Sequence, residues 1–203
     1  MTDFTYSFQD RKERLEKYEW DNVWWECADD NDTPRVLYIG DSISCGTRRF
    51  ATEVAENSIL FDGVGTSKAV DNPFFPELIK SFANQQGHRR AVLFNNGLHG
   101  WHLGDDTEFK DCYEKLLKFL LEEFKGTPIF LVLTSSVTDE SRNNRVIARN
   151  KVTKELAEKY NLEVIDFYAI TNGCSHFTDG VHLTNEGYYK LANEVVNAVK
   201  KVI

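Results

Sequence analysis

The sequence predicts an α/β protein, a parallel sheet with helices on both faces, and three observations carry that prediction. Short runs of β-branched and large apolar residues alternate with longer stretches whose apolar positions recur every three or four residues. The short runs end in small polar turns such as Gly40-Asp41-Ser42 and Asn95-Asn96-Gly97. The alternation of strand and helix runs five times along the chain, which argues for parallel strands joined by helical crossovers.

The first strand is expected over residues 35–39 (Arg-Val-Leu-Tyr-Ile) and is followed by a helical stretch over 48–56. A second strand, 58–61, ends at Asp62-Gly63, and a third, 91–94, ends at Asn95. Over 113–124 the apolar residues Tyr113, Leu116, Leu117, Leu120, Leu121 and Phe124 make a helical stripe. Strands four and five fall at 128–133 and 163–167. The last helix carries Tyr188, Leu191, Ala192, Val195, Val196 and Val199 on one face, with Thr184 as its cap and Glu186 in its first turn.

At 203 residues the chain is long enough for one domain, and its 14 Phe, 8 Tyr and 4 Trp supply a core. Asp and Glu outnumber Lys and Arg by 32 to 24, so a basic face for nucleic acid is not expected. No apolar run approaches a membrane span, and the N-terminal twenty residues resemble no leader. The 4 cysteines are scattered without a Cys-x-x-Cys pair, as free thiols in a cytoplasmic protein would be.

In open α/β sheets ligands bind beyond the carboxyl ends of the strands, and there the candidates are Gly40-Asp41-Ser42, Asp62-Gly63-Val64-Gly65 and residues 95–100. Ser42 stands between a strand and a helix, where its own N–H favours negative charge. It serves either as an exposed nucleophile or as a helix cap. A serine hydroxyl needs an imidazole to take its proton, and the imidazole needs an acid on its other nitrogen. Asp179-Gly180-Val181-His182, just before the last helix, offers both, unless it is only an Asx-turn beside a surface histidine.

Taken together, Gly40-Asp41-Ser42 and Asp179-Gly180-Val181-His182-Leu183-Thr184-Asn185-Glu186-Gly187-Tyr188 resemble the SGNH (GDSL) hydrolase family over residues 35–203. That resemblance implies a three-layer α/β/α sandwich with a flavodoxin-like, five-stranded parallel sheet. It also implies a cofactor-independent carboxylic ester hydrolase. Ser42 would be the nucleophile, His182 the base and Asp179 its orienting acid. The oxyanion hole would combine the Ser42 N–H with that of Gly63, or of Gly65, and a third donor. The family's third block reads Gly-x-Asn-Asp, whereas here Gly97-Leu98-His99-Gly100 places His99 where the donor amide belongs. Asn96 is the alternative donor.

Asp41, Trp101 and His102 are expected to face the substrate, and Cys45 to pack beneath the serine turn. Thr66-Ser67-Lys68 either contacts a polyol or closes a turn. His99, His102, Asp105 and Asp106 have the composition of a metal site without its pattern, so no metal is expected. Residues 1–33 are an addition to the 34–203 core. Within them Phe4, Tyr6 and Phe8 alternate as in a strand, residues 11–20 look helical, and Trp20, Trp24 and Trp25 cluster. These aromatics pack on the sheet's flank, form a platform at the site, or make a dimer contact. The expected partner is a small-molecule or glycan ester, preferably an acetylated carbohydrate. No nucleic acid or membrane is expected, and a homo-oligomer is left open.

Overall fold

The computed structural model describes residues 15–103 and 106–203. The strands are β1 (Asp21–Trp24), β2 (Arg35–Gly40), β3 (Leu60–Thr66), β4 (Ala91–Phe94), β5 (Ile129–Val132) and β6 (Glu163–Ile165). The helices are α1 (Ser42–Val54), α2 (Phe74–Gln86), α3 (Asp106–Glu123), α4 (Glu140–Tyr160), α5 (Phe167–Thr171) and α6 (Asn185–Val199). They build one sheet in the order β1-β3-β2-β4-β5-β6. The pairs from β3 to β6 are all parallel, giving the expected flavodoxin-like order, and β1 adds an antiparallel edge.

Strand alternation divides the core between the two faces. Val36, Tyr38, Phe61, Leu93, Phe130 and Val132 pack with α1 and α6 through residues such as Ile43, Phe50, Leu191 and Val195. Leu37, Ile39, Val64, Val92, Phe94 and Leu131 face the other way, onto α2, α3 and α4. Both faces of the central strands β2, β4 and β5 are covered, so these read as apolar runs and not as alternating patterns.

Three features depart from the expected pattern. β1 was not anticipated, because its Asp-Asn-Val-Trp sequence is exposed at every position and has no apolar face. Residues 15–20 form bends and not the helix expected over 11–20; the part of that stretch before residue 15 lies outside the described residues, as do Phe4, Tyr6 and Phe8. β3 continues past Asp62-Gly63, because β1 and β2 clasp it on either side as far as Thr66 and Gly65.

The connection from β1 to β2 is held by a buried arginine. Arg35 Nη1 donates to Glu26 O and Asp62 Oδ1 at 2.8 and 2.9 Å, and Nη2 donates to Cys27 O and Asp30 O at 2.6 and 2.7 Å. This guanidinium satisfies turn carbonyls and neutralises a fully buried carboxylate at once. No helix among the described residues is long and apolar enough to cross a membrane.

Candidate active site

β2 is the central switch strand, pairing with β3 on one side and β4 on the other. Its carboxyl end therefore opens at the crevice where the strand order reverses. Ser42 is the first residue of α1 there, and Asp41 is the N-cap, its Oδ1 accepting from Ile43 N at 2.9 Å. Asp41 is thus not a substrate contact: its side chain is buried in the cap, and burial raises its carboxyl above the usual range.

His182 arrives from the loop before α6. Its Nε2 accepts from Ser42 Oγ at 2.8 Å, and its Nδ1–H donates to Asp179 Oδ2 at 2.7 Å. The same carboxylate accepts on Oδ1 from the backbone N–H of His182 and of Val181, at 2.7 and 3.0 Å. The His182 side chain and these N–H groups hold the Asp179 carboxyl far below the usual carboxylate range. The loop is braced by Thr178 N–H on His182 O at 2.8 Å, while Thr184 caps α6 through Gly187 N. Gly180 makes the turn at φ +87°, and a Cβ there would lie 2.3 Å from Thr138 Oγ1.

Two glycines of β3 flank the serine turn at different distances. Gly63 sits inside β3 opposite Tyr38, two residues short of the serine turn, and a Cβ on it would strike the Arg48 side chain. Gly65, opposite Gly40, is the glycine beside that turn: its missing Cβ makes room for Cys45 Sγ and lies 3.5 Å from Asp41 O. Of the two expected glycines, Gly65 lies nearer the serine turn. Cys45 packs beneath the turn as expected, its thiol pushed up by burial.

His99 and Asn96 are separated by their surroundings. Asn96 is buried and its Nδ2 donates to Lys68 O at 2.8 Å, whereas His99 lines the same cavity as Ser42 and His182. The loop carrying His99 is clamped by Arg149 of α4, which donates to the carbonyls of Gly97, His99 and Gly100 at 3.0, 2.6 and 2.7 Å. The cavity is about 400 Å³ and is walled by Trp20, Leu98, Trp101, Val137, Arg142 and Val181. Trp101 lines this cavity, and Arg145 and Arg149 lie over its ring. His102 is not among the lining residues: its Nε2 is taken by Asp71 Oδ2 at 3.0 Å. The two histidines consequently face different carboxylates, Glu16 and Asp71, and do not converge as metal ligands. Asp105 lies outside the described residues.

Thr66, Ser67 and Lys68 are not free for a polyol. Thr66 Oγ1 donates to Asp21 Oδ1 at 2.6 Å, Ser67 Oγ to Glu19 Oε2 at 2.8 Å, and Lys68 Nζ to Asp21 at 2.7 Å. They anchor residues 19–21, so Trp20 becomes a wall of the cavity. Glu16, Arg142 and Arg149 were not singled out from the sequence. Arg149 had one available signal, a charged residue on the buried face of a helix between Val146 and Val152. A second cavity of about 440 Å³ lies by Leu133, Lys151 and Tyr168, away from Ser42.

No family model matches the chain, and no curated protein matches it. Solved structures do. A member of the lipolytic G-D-S-L family from Veillonella parvula superposes with a TM-score of 0.65 at 20% identity, over 83% of this chain and 100% of that one. An aryl esterase of M. smegmatis gives 0.66 at 13%, over 84% and 100%. A carbohydrate acetylesterase family member from Sinorhizobium meliloti gives 0.66 at 13%, over 84% and 99%. The chain therefore has the SGNH hydrolase fold.

Proposed function

We propose that the protein is a serine esterase that removes small acyl groups, preferably acetyl from a carbohydrate, by way of an acyl-enzyme. The observation that carries this reading is the unbroken chain from Ser42 Oγ through His182 to Asp179, with links of 2.8 and 2.7 Å. Ser42 Oγ attacks the ester carbonyl while His182 Nε2 takes the hydroxyl proton. Asp179 holds Nδ1–H, which leaves Nε2 as the basic nitrogen, and stabilises the imidazolium that forms. The tetrahedral oxyanion is met by the Ser42 and Gly65 N–H groups and by His99. Each such donor is worth on the order of 3 kcal/mol of barrier. His182 then returns the proton to the departing alcohol oxygen, and the ester bond to Ser42 remains. Water, activated by the same imidazole, releases the acid.

The cavity supports the choice of substrate. Leu98, Val137 and Val181 offer apolar surface to an acyl group in about 400 Å³, and Trp20 and Trp101 are aromatic faces of the kind that stack on sugar rings. The fold is shared with proteins described as an acetyl xylan esterase and a carbohydrate acetylesterase family member, which agrees with that choice. The test is hydrolysis of p-nitrophenyl acetate, butyrate and octanoate by wild type and by Ser42→Ala. We expect turnover that favours acetate and is lost at least a thousandfold in the variant. Wild type without turnover or a Ser42 acyl adduct would overturn the reading, and a preference for octanoate would move it to a lipase-like or lysophospholipid substrate.

A further inference from the structure

The N-terminal segment brings a carboxylate against His99, a residue of the cavity wall. Glu16 Oε1 accepts from Gly100 N at 3.0 Å and stands 3.6 Å from His99 Nδ1, an ion-pair distance. The segment is built to hold it there. Glu16 N–H donates to Glu19 Oε1, whose other oxygen takes the Ser67 hydroxyl, and Trp20 and Ser67 exchange bonds at 2.9 and 3.1 Å. Trp20 then meets the His99 ring edge-on, with centroids 6.1 Å apart. Glu16 is partly buried, and His99 and the Gly100 N–H hold its carboxyl below the usual range.

This arrangement has a consequence for hydrogen-bond donation. With a carboxylate at Nδ1, the His99 ring offers an Nε2–H to an oxyanion only when both nitrogens carry protons. Among the described residues Nε2 has no protein partner, and the ring lines the cavity of Ser42 and His182. The other charged groups around it are Asp41 at the cap of α1, Arg149 of α4 on the His99 carbonyl, Arg142 on the cavity wall and His182 across it.

We propose that Glu16 is a positioning residue: it pairs with His99 Nδ1 and orients the ring so that, when both nitrogens carry protons, Nε2–H is turned toward the oxyanion. The residue preceding the hydrolase core thereby replaces the missing amide of the third strand-end block with a charge-assisted donor. The inference rests on the esterase reading above. Glu16→Gln separates charge from scaffold, because the amide oxygen still accepts from Gly100 N. We expect kcat for p-nitrophenyl acetate to fall roughly tenfold or more, with KM changed less than twofold, and His99→Ala to fall by about a hundredfold. The double variant should be no slower than His99→Ala alone. Imidazole nitrogen NMR should show the His99 signals shifted in Glu16→Gln and those of His182 unmoved. Unchanged kcat in Glu16→Gln, or losses that multiply in the double variant, would overturn the inference while Ser42-dependent turnover stands. A wild type without Ser42-dependent turnover would instead overturn the esterase reading, and this inference with it.

Discussion

Asp179 shows how much a single side chain does when three donors converge on it. It is largely exposed, yet the His182 ring and the N–H groups of His182 and Val181 all point at its oxygens. These bonds favour the ionised form, so its carboxyl is depressed and its contribution to the folded loop is present above the ordinary carboxylate range. That contribution is lost only when pH falls through the depressed value, so Asp179 stays charged at and well below neutral pH. Asp179→Asn therefore removes the charge that orients His182 without removing bulk. We expect kcat for p-nitrophenyl acetate to fall on the order of 10⁴-fold with little change in KM. A loss confined to KM would show that Asp179 binds substrate and does not orient the base.

Residue types also set how far the site could be read in advance. Ser42, Asp179 and His182 were legible because their chemistry is tied to strand-end and helix-start positions. Spacing does not distinguish His99 from Asn96, which are three residues apart in one loop. Their surroundings separate them: Asn96 spends an N–H on Lys68 O, and His99 faces the cavity.

Among the elements, α3 and α4 are joined by a carboxylate that the sequence pattern does not reveal. Glu114 accepts from Lys159 Nζ at 2.7 Å and from the Tyr160 hydroxyl, and these partners lower its pKa to about 2 from an ordinary 4.5. A depressed carboxylate stabilises the fold fully above its unfolded value and ceases to do so as pH falls through its folded one. Glu114→Gln should accordingly lower Tm at neutral pH by a few degrees at most, the pair being at the surface. The gap to wild type should close between about pH 4.5 and 2. A gap that stays constant over that range would show that charge is not what the pair contributes.

Helix α4 itself illustrates a limit of periodicity. Its buried positions include Arg149, which donates to loop carbonyls, Asn150, which donates to Thr134 O just past β5, and Thr153, whose hydroxyl donates to Arg149 O within the helix. An apolar stripe therefore never forms, although the helix is 21 residues long and correctly capped by Asp139. By contrast α6, whose buried face is apolar, begins at Asn185 behind Thr184, the cap its sequence predicts.

At the scale of the molecule, the segment before β2 divides into two parts with different duties. Residues 26–30 supply carbonyls to the buried Arg35, so they belong to the stability of the sheet. Residues 16–24 cover the β3 edge and wall the cavity. A chain beginning at Glu26 should still unfold cooperatively, at a lower Tm because β3 becomes an uncovered edge. It should hydrolyse p-nitrophenyl acetate at least tenfold more slowly, since Glu16 and Trp20 are gone. Circular dichroism melts and steady-state kinetics on the truncated chain check both. Wild-type kinetics would show that the segment only protects an edge.

The sequence by itself determined the layered α/β architecture, because burial on both faces demands apolar runs and its helical crossovers demand parallel strands. It also determined which serine, histidine and aspartate are paired, because their positions follow from where strands end and helices begin. Only the tertiary structure decided what surrounds them. The withdrawal of His102 to Asp71, the hold of Arg149 on the His99 loop and the arrival of Glu16 at His99 all depend on approaches between segments far apart in the chain. Such approaches are governed by packing and by long-range hydrogen bonds, and no local periodicity records them.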